Sequence, residues 1–321
     1  MRKAMAEAPV GDDVFGEDPS INLLQERVAS LLGKDYALFF PSGTMANQVA
    51  LQTLTRPGDV VLAGHGAHIL RYESGAAAAL AGLQIQTLGT TGIFDDADVC
   101  EAVPPKDPHR ATVSVVAVEN THNAGGGRIF PLDQIRRIAA AGRERGLRVH
   151  LDGARLWNAS VATGVPLAEW AEPFDTVSCC LSKGLGAPVG SLVATNDAFA
   201  EKLHFFRKRM GGGMRQAGIV AAGGLYALEH HLARLAEDHD NARLLASGLR
   251  ERGFEVEDPE TNIVMFRCEA GRAFVDAARA EGILLIAFEA TRFRAVTHLG
   301  IDAESIERAL PALVRARERA A

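Results

Sequence analysis

Seven short apolar segments, spaced along the first two thirds of the chain and separated by helix-forming stretches, limit what this sequence can fold into more than any other feature. They are Tyr36–Phe40, Val60–Ala63, Leu83–Leu88, Thr112–Val118, Leu147–Leu151, Phe174–Leu181 and Ser191–Thr195. Strands that are apolar throughout, rather than alternating, must be covered on both faces, which predicts an α/β fold with a mostly parallel sheet between helical layers. The intervening helices carry the expected punctuation. Asp18-Pro19 supplies an acidic N-cap and a first-turn proline, Gly33 closes that helix, and Met45–Leu54 and Leu132–Arg145 read as further helices.

Beyond these segments the chain changes character. From Arg215 to about Arg252 the residues are almost all helix formers, interrupted only around Gly223-Gly224, and this stretch reads as a bridge. The remainder predicts strands at Asn262–Arg267, Ile283–Ala287 and Arg294–His298 with helices at Arg272–Glu281 and Ala303–Arg317, a βαββα pattern. The expected organisation is a large α/β domain over 1–235, with a short N-terminal arm, and a bridging helix plus small α+β domain over 236–321. A length of 321 residues suits two domains at roughly 150 residues each.

The formal charge of −6 argues against a nucleic-acid footprint. No apolar run approaches the roughly 18 residues of a spanning helix, and the start lacks the apolar stretch of a secretory signal. Cys100, Cys179, Cys180 and Cys268 show no CxxC spacing, so reduced thiols in a cytoplasm are expected, with Cys179-Cys180 filling a buried strand.

Lysine is scarce: only six of the 34 basic residues. Lys3 lies in the terminal arm, Lys34 follows a helix-ending glycine, Lys106 sits in a Pro-Pro-Lys-Asp loop, and Lys202 and Lys208 lie on a charged helix. Lys183 differs, because it follows an apolar strand and precedes the glycine-rich run Gly184–Gly190. An amine among apolar groups loses charge stabilisation and becomes a nucleophile for a carbonyl, unless it merely snorkels from a strand end.

Asp152 ends another apolar strand, where α/β sheets present ligand-binding groups, or else caps the next helix; Arg155, three residues on, offers a fork to a carboxylate or phosphate. An aspartate and a lysine on successive strand ends are what pyridoxal phosphate requires, one for the ring nitrogen and one for the aldehyde. Ser42-Gly43-Thr44, at a strand-to-helix turn, offers backbone N–H groups and hydroxyls to a phosphate. His68 follows a strand and can stack on an aromatic cofactor or sit on a surface loop. His122, in Glu119-Asn120-Thr121-His122-Asn123, belongs to a run of polar groups at a strand end that packing does not explain. Gly211-Gly212-Gly213-Met214-Arg215-Gln216 is a loop that approaches a ligand or a partner subunit, or acts as a hinge.

Taken with Gly11–Pro19, Pro41–Met45, Asp152-Gly153-Ala154-Arg155, Leu181-Ser182-Lys183-Gly184 and Val296-Thr297-His298, these motifs resemble, in order and over nearly the whole chain, the low-specificity L-threonine aldolases. That family has the fold type I architecture of pyridoxal-phosphate-dependent transferases. The resemblance implies that Lys183 forms the Schiff base with the cofactor, Asp152 pairs with the pyridine nitrogen and His68 stacks on the ring. It also implies that Ser42, Gly43 and Thr44 hold the phosphate, that Arg155 and Arg294 hold the substrate carboxylate, and that His122 faces the β-hydroxyl. No metal ligand set is implied. The family works as a homotetramer with active sites at subunit interfaces.

The expected reaction is retro-aldol cleavage of L-threonine or L-allo-threonine, a small β-hydroxy amino acid, to glycine and acetaldehyde, without nucleic-acid or membrane partners. Two alternatives stay open: another lyase with the same cofactor, either an aryl-serine aldolase or a β-eliminating enzyme, and a cofactor-binding protein with impaired turnover. A nucleotide loop at Gly184-Leu185-Gly186 lacks the GxGxxG spacing. Family chains begin with an added segment containing Asp-Leu-Arg-Ser-Asp-Thr, whose serine lies near the substrate carboxylate, and Met1–Met5 matches the family sequence just after that segment. The expectation is intact cofactor binding with weakened substrate positioning.

Overall fold

The computed structural model describes residues 1–105 and 107–320; Lys106, read above as a loop lysine, lies outside the described residues. The chain divides into two compact units, Met1–Gly125 with Ile129–Leu232, and Gly126–Arg128 with the chain from Ala233 onward.

In the first unit, seven strands form one sheet: β1 (Tyr36–Phe40), β2 (Val60–Gly64), β3 (Gln84–Leu88), β4 (Val113–Glu119), β5 (Arg148–Asp152), β6 (Thr176–Cys180) and β7 (Ser191–Thr195). Their order is β1-β7-β6-β5-β4-β2-β3. The five strands from β6 to β3 run parallel, and β7 alone runs opposite to the other six. β2, β6 and β7 are buried along their whole length, as uniformly apolar strands covered on both faces must be. Cys179 and Cys180 fill the buried strand β6.

The helix Pro19–Leu32 is capped as its sequence dictates. Asp18 accepts the N–H groups of Ser20 and Ile21, and Gly33 ends the helix at φ 60°. The other oxygen of Asp18 accepts the N–H of Gly218 at 2.8 Å, which anchors a second helix, Gly218–His230. That second helix corrects the expected interruption at Gly223-Gly224, through which it passes unbroken; the break falls at His231–Arg234. The glycines answer to packing rather than to a turn, since a Cβ on Gly224 would lie 2.6 Å from Leu181 Cδ1 and 3.2 Å from Leu24 Cδ2. The terminal arm is a five-residue helix, Arg2–Ala6, whose Met5 lies against Gly223. The Gly211–Gln216 loop is pinned: Arg215 pairs with Asp12 at 2.6 Å, and its carbonyl accepts the Asp13 N–H.

The second unit has a four-stranded antiparallel sheet ordered β10-β11-β9-β8, from β8 (Glu255–Val256), β9 (Ile263–Arg267), β10 (Ile286–Ala287) and β11 (Arg292–Val296). Its core is aromatic, with Phe254, Phe266, Phe274 and Phe293 packed edge-on among residues from the Leu235–Glu251, Gly271–Ala280 and Ala303–Ala320 helices. Among the described residues no helix is long and apolar enough to cross a membrane.

Candidate active site

Parallel strands end together, and here that brings dispersed residues to one edge. Glu119 and Asp152 are register partners at the ends of β4 and β5, Asp152 pairs with Ser178 within β6, and β2 ends beside β4. β1 is antiparallel to β7, which is antiparallel to β6, so the last residues of β1 and β6, Phe40 and Cys180, lie level with Ser191, where β7 begins. Ser42–Thr44, His68, His122, Asp152, Arg155 and Lys183 all follow strands at this carboxyl edge, where open α/β sheets bind ligands. Arg294 stands on β11 of the second unit, with its guanidinium carbon 5.7 Å from the Phe288 ring centre.

Asp152 is buried and is not the cap of the following helix Leu156–Thr163, whose N-cap is Arg155. One of its oxygens accepts the Ala154 N–H at 3.2 Å and the other accepts the Asn47 side-chain amide at 2.8 Å. A carboxylate held through both oxygens keeps its direction. Arg155 donates to Asn123 Oδ1 at 3.1 Å, which ties the turn after β5 to the turn after β4.

Lys183 lies half-buried in the turn between β6 and β7, which is closed by the Gly186 N–H donating to the Lys183 carbonyl. Among the described residues its amine has no hydrogen-bond or ion-pair partner. The burial argument applied to Lys183 also fits Lys34, whose amine donates to the Phe174 carbonyl at 2.6 Å; burial, opposed by Asp175 and Glu172, pulls it below the ordinary lysine range. Phe174 precedes β6, so Lys34 sits at the amino edge of the sheet, away from the other candidate groups.

Ser42 is the N-cap of the helix Gly43–Leu54, its hydroxyl accepting the Met45 N–H at 3.2 Å. The first intrahelical bond is Ala46 N–H to the Ser42 carbonyl, so among the described residues the N–H groups of Gly43 and Thr44 remain open at the positive end of the helix. Gly43 is required there, because a Cβ would stand 2.8 Å from Cys180 Sγ.

His68 Nδ1 lies 2.8 Å from the buried carboxylate of Glu73. Burial disfavours the charged ring, but the bond to Glu73 and the charges of Asp152, Glu73 and Glu119 outweigh it and raise the His68 pKa. Glu73 is itself held by Asn47 at 2.9 Å and Gln48 at 2.6 Å. His122 is buried, its ring packed on Gly92. Its Nδ1 accepts the Gly125 N–H at 3.0 Å, which in the neutral ring leaves the proton on Nε2, and Nε2 is buried without a partner among the described residues.

Sequence reasoning missed Asn47, Gln48, Glu73, His150 and Ser178, which hold these side chains, and reached Glu119 only as a member of the polar run that ends β4. A usable signal was present in Asn47, Gln48 and Gln52, three amides buried on one helix. The ligating atoms of His68, Glu73 and Asp152 lie within 4.8 Å of one another, a spacing that would suit a cation, but the two carboxylates already accept from Asn47 and Gln48 amides.

Pyridoxal phosphate fits this donor set. Among the described residues an anchored carboxylate, an unpaired amine and a helix N-terminus with open N–H groups stand on one sheet edge, and the orphaned Nε2 of His122 offers a further polar contact. The profile of the beta-eliminating lyase family matches residues 1–270. The low specificity L-threonine aldolase of Escherichia coli (strain K12) is 42% identical over 310 residues, covering 95% of this chain and 92% of that one. Low-specificity L-threonine aldolase 1 of Arabidopsis thaliana is 38% identical, covering 95% and 89%. Among solved structures, the Leishmania major threonine aldolase superposes with a TM-score of 0.82 at 23% identity, over 96% of this chain and 91% of that one. A Sphingomonas wittichii serine palmitoyltransferase superposes with a TM-score of 0.78 at 19% identity, over 99% and 82%, a likeness of fold alone.

Proposed function

The chain belongs to the beta-eliminating lyase family, among the low-specificity L-threonine aldolases, and from that membership we propose that it is a pyridoxal-phosphate-dependent carbon–carbon lyase cleaving L-threonine and L-allo-threonine to glycine and acetaldehyde. The observation that carries the reading is the pairing of a doubly anchored Asp152 with an unpartnered Lys183 amine on the ends of neighbouring strands.

Bound at this edge, pyridoxal phosphate supplies a sink for the electron pair released when the Cα–Cβ bond breaks. Lys183 provides the amine that attaches it, Asp152 a fixed negative charge for its ring nitrogen, and the open N–H groups of Gly43 and Thr44, with Ser42, a cradle for its phosphate. Arg155 is positioned to receive a substrate carboxylate.

The two histidines divide the proton work. His122 carries its proton on Nε2 and therefore donates, orienting the β-oxygen. In its neutral form His68 donates from Nδ1 to Glu73, which leaves the Nε2 lone pair to take the β-hydroxyl proton directly or through a water; Glu73 stabilises the cation that forms. The same reading carries a homotetramer with active sites at subunit interfaces and a cytoplasmic location, the latter supported by four free thiols.

The test is turnover of the cofactor-loaded protein with L-threonine, L-allo-threonine and phenylserine, following glycine and aldehyde together. Equimolar glycine and acetaldehyde are expected. Release of ammonia and a keto acid without glycine would overturn the aldol reading in favour of β-elimination.

A further inference from the structure

Asn47 bonds to four side chains at the site, and among the described residues it touches none of the groups assigned to the cofactor's phosphate or aldehyde. It is 2% exposed, one turn into the helix that Ser42 caps. Its amide nitrogen donates to Asp152 at 2.8 Å and to Glu73 at 2.9 Å, while its oxygen accepts from Ser178 Oγ at 2.6 Å and faces His150 Nε2 at 3.4 Å.

The orientation of this amide is not free. Reversed, it would turn its oxygen on two carboxylates and its N–H groups on the Ser178 hydroxyl and the imidazole. His150 is fully buried, with a pKa lowered to about 4 by that burial, so it stays neutral and can donate to the amide oxygen. Glu73 carries His68, and Asp152 is the charge assigned to the ring nitrogen.

We propose that Asn47 is a positioning residue, a two-sided hydrogen-bond donor that holds the Asp152 and Glu73 carboxylates at a fixed spacing and thereby sets the ring-nitrogen contact and the stacking histidine relative to one another. The proposal rests on the reading that this edge binds pyridoxal phosphate. Without the amide, two buried carboxylates would face each other with no shared donor, and each would relax away from the other.

The experiment compares Asn47→Asp with Asn47→Ala in protein stripped of cofactor and titrated with pyridoxal phosphate. Asn47→Asp preserves shape and the acceptor for Ser178, but turns an oxygen on the two carboxylates; Asn47→Ala removes the group and leaves a cavity. A packing role ranks alanine as the worse change, whereas a donor role ranks aspartate as the worse. The dissociation constant for pyridoxal phosphate should rise about tenfold in Asn47→Ala and further in Asn47→Asp, with a weakened visible circular dichroism band in both. Melting of the cofactor-free proteins establishes that both are folded. If Asn47→Asp does not fold, Asn47→Ala against wild type decides. Binding by Asn47→Ala within about twofold of wild type, or Asn47→Asp binding more tightly than Asn47→Ala, overturns the proposal. Wild-type protein that binds no pyridoxal phosphate contradicts the reading of the site itself, a result distinguishable from either.

Discussion

The carboxylate of Glu119 accepts the backbone N–H of His68 at 2.6 Å across 51 residues of sequence. Its other oxygen accepts the N–H of Asn123 at 2.8 Å, so one buried acid ties the turn bearing His68 to the turn bearing His122. Burial pushes the Glu119 pKa up, against the pull of His122 and of the two N–H bonds. The distance between the two histidines assigned to the proton transfer therefore depends on a residue that need not touch the substrate.

Glu119→Gln keeps the size of the side chain but offers a single acceptor oxygen, leaving one N–H opposed by an amide NH2. The value of kcat/KM for L-threonine should fall roughly tenfold or more, in line with the cost of an unmet buried donor. Steady-state kinetics check this; an unchanged kcat/KM would show that the two turns hold their places without the acid.

Gly92 has φ 90°, and a Cβ there would lie 2.2 Å from His122 Cε1. Gly92→Ala should displace the His122 ring and lower kcat on the order of a hundredfold, the scale of a misplaced proton-handling group. The same change in a His122→Ala background should cost much less activity, leaving only what the strain of alanine at φ 90° imposes, because the group it displaces is already gone. Equal losses in both backgrounds would locate the effect elsewhere.

His150 predicts a dependence of stability on pH. Its folded pKa of about 4 lies below the ordinary 6.5, so as the pH falls the unfolded chain takes up this proton first. The stability it contributes is whole above about pH 6.5 and is lost as the pH falls toward 4, by up to about 3 kcal/mol. His150→Leu should flatten the fall in melting temperature between those limits. Part of the slope should remain, because burial also lowers His239 to about 4. A slope identical to wild type would mean that His150 does not titrate with unfolding.

The seven apolar segments, the Asp18 cap and the Gly33 stop were legible because each is a local pattern with a local physical cause. The Gly223-Gly224 pair misled because helix propensity is local, while the need for glycine there comes from Leu181 and Leu24 across the core. β8 is two residues long, too short to show a period. Lys183, Asp152, His68 and His122 announced themselves as polar groups at the ends of apolar strands. Glu119 stood in the same polar run as His122, but nothing local showed its bond to the His68 N–H 51 residues away. Asn47 gave no such sign, because its carboxylate partners lie 26 and 105 residues away and only the sheet order brings them together.

The claim that Lys183 carries the cofactor is tested most directly by borohydride reduction of the pyridoxal-phosphate-loaded protein and peptide mapping of the product. The account predicts a stable pyridoxyl label on Lys183, lost in Lys183→Ala together with threonine cleavage. Lys34 is the informative control, since burial lowers its amine pKa but it sits at the amino edge of the sheet. A label on Lys34 or another lysine, or a Lys183→Ala protein that still cleaves threonine at the wild-type rate, would contradict the account.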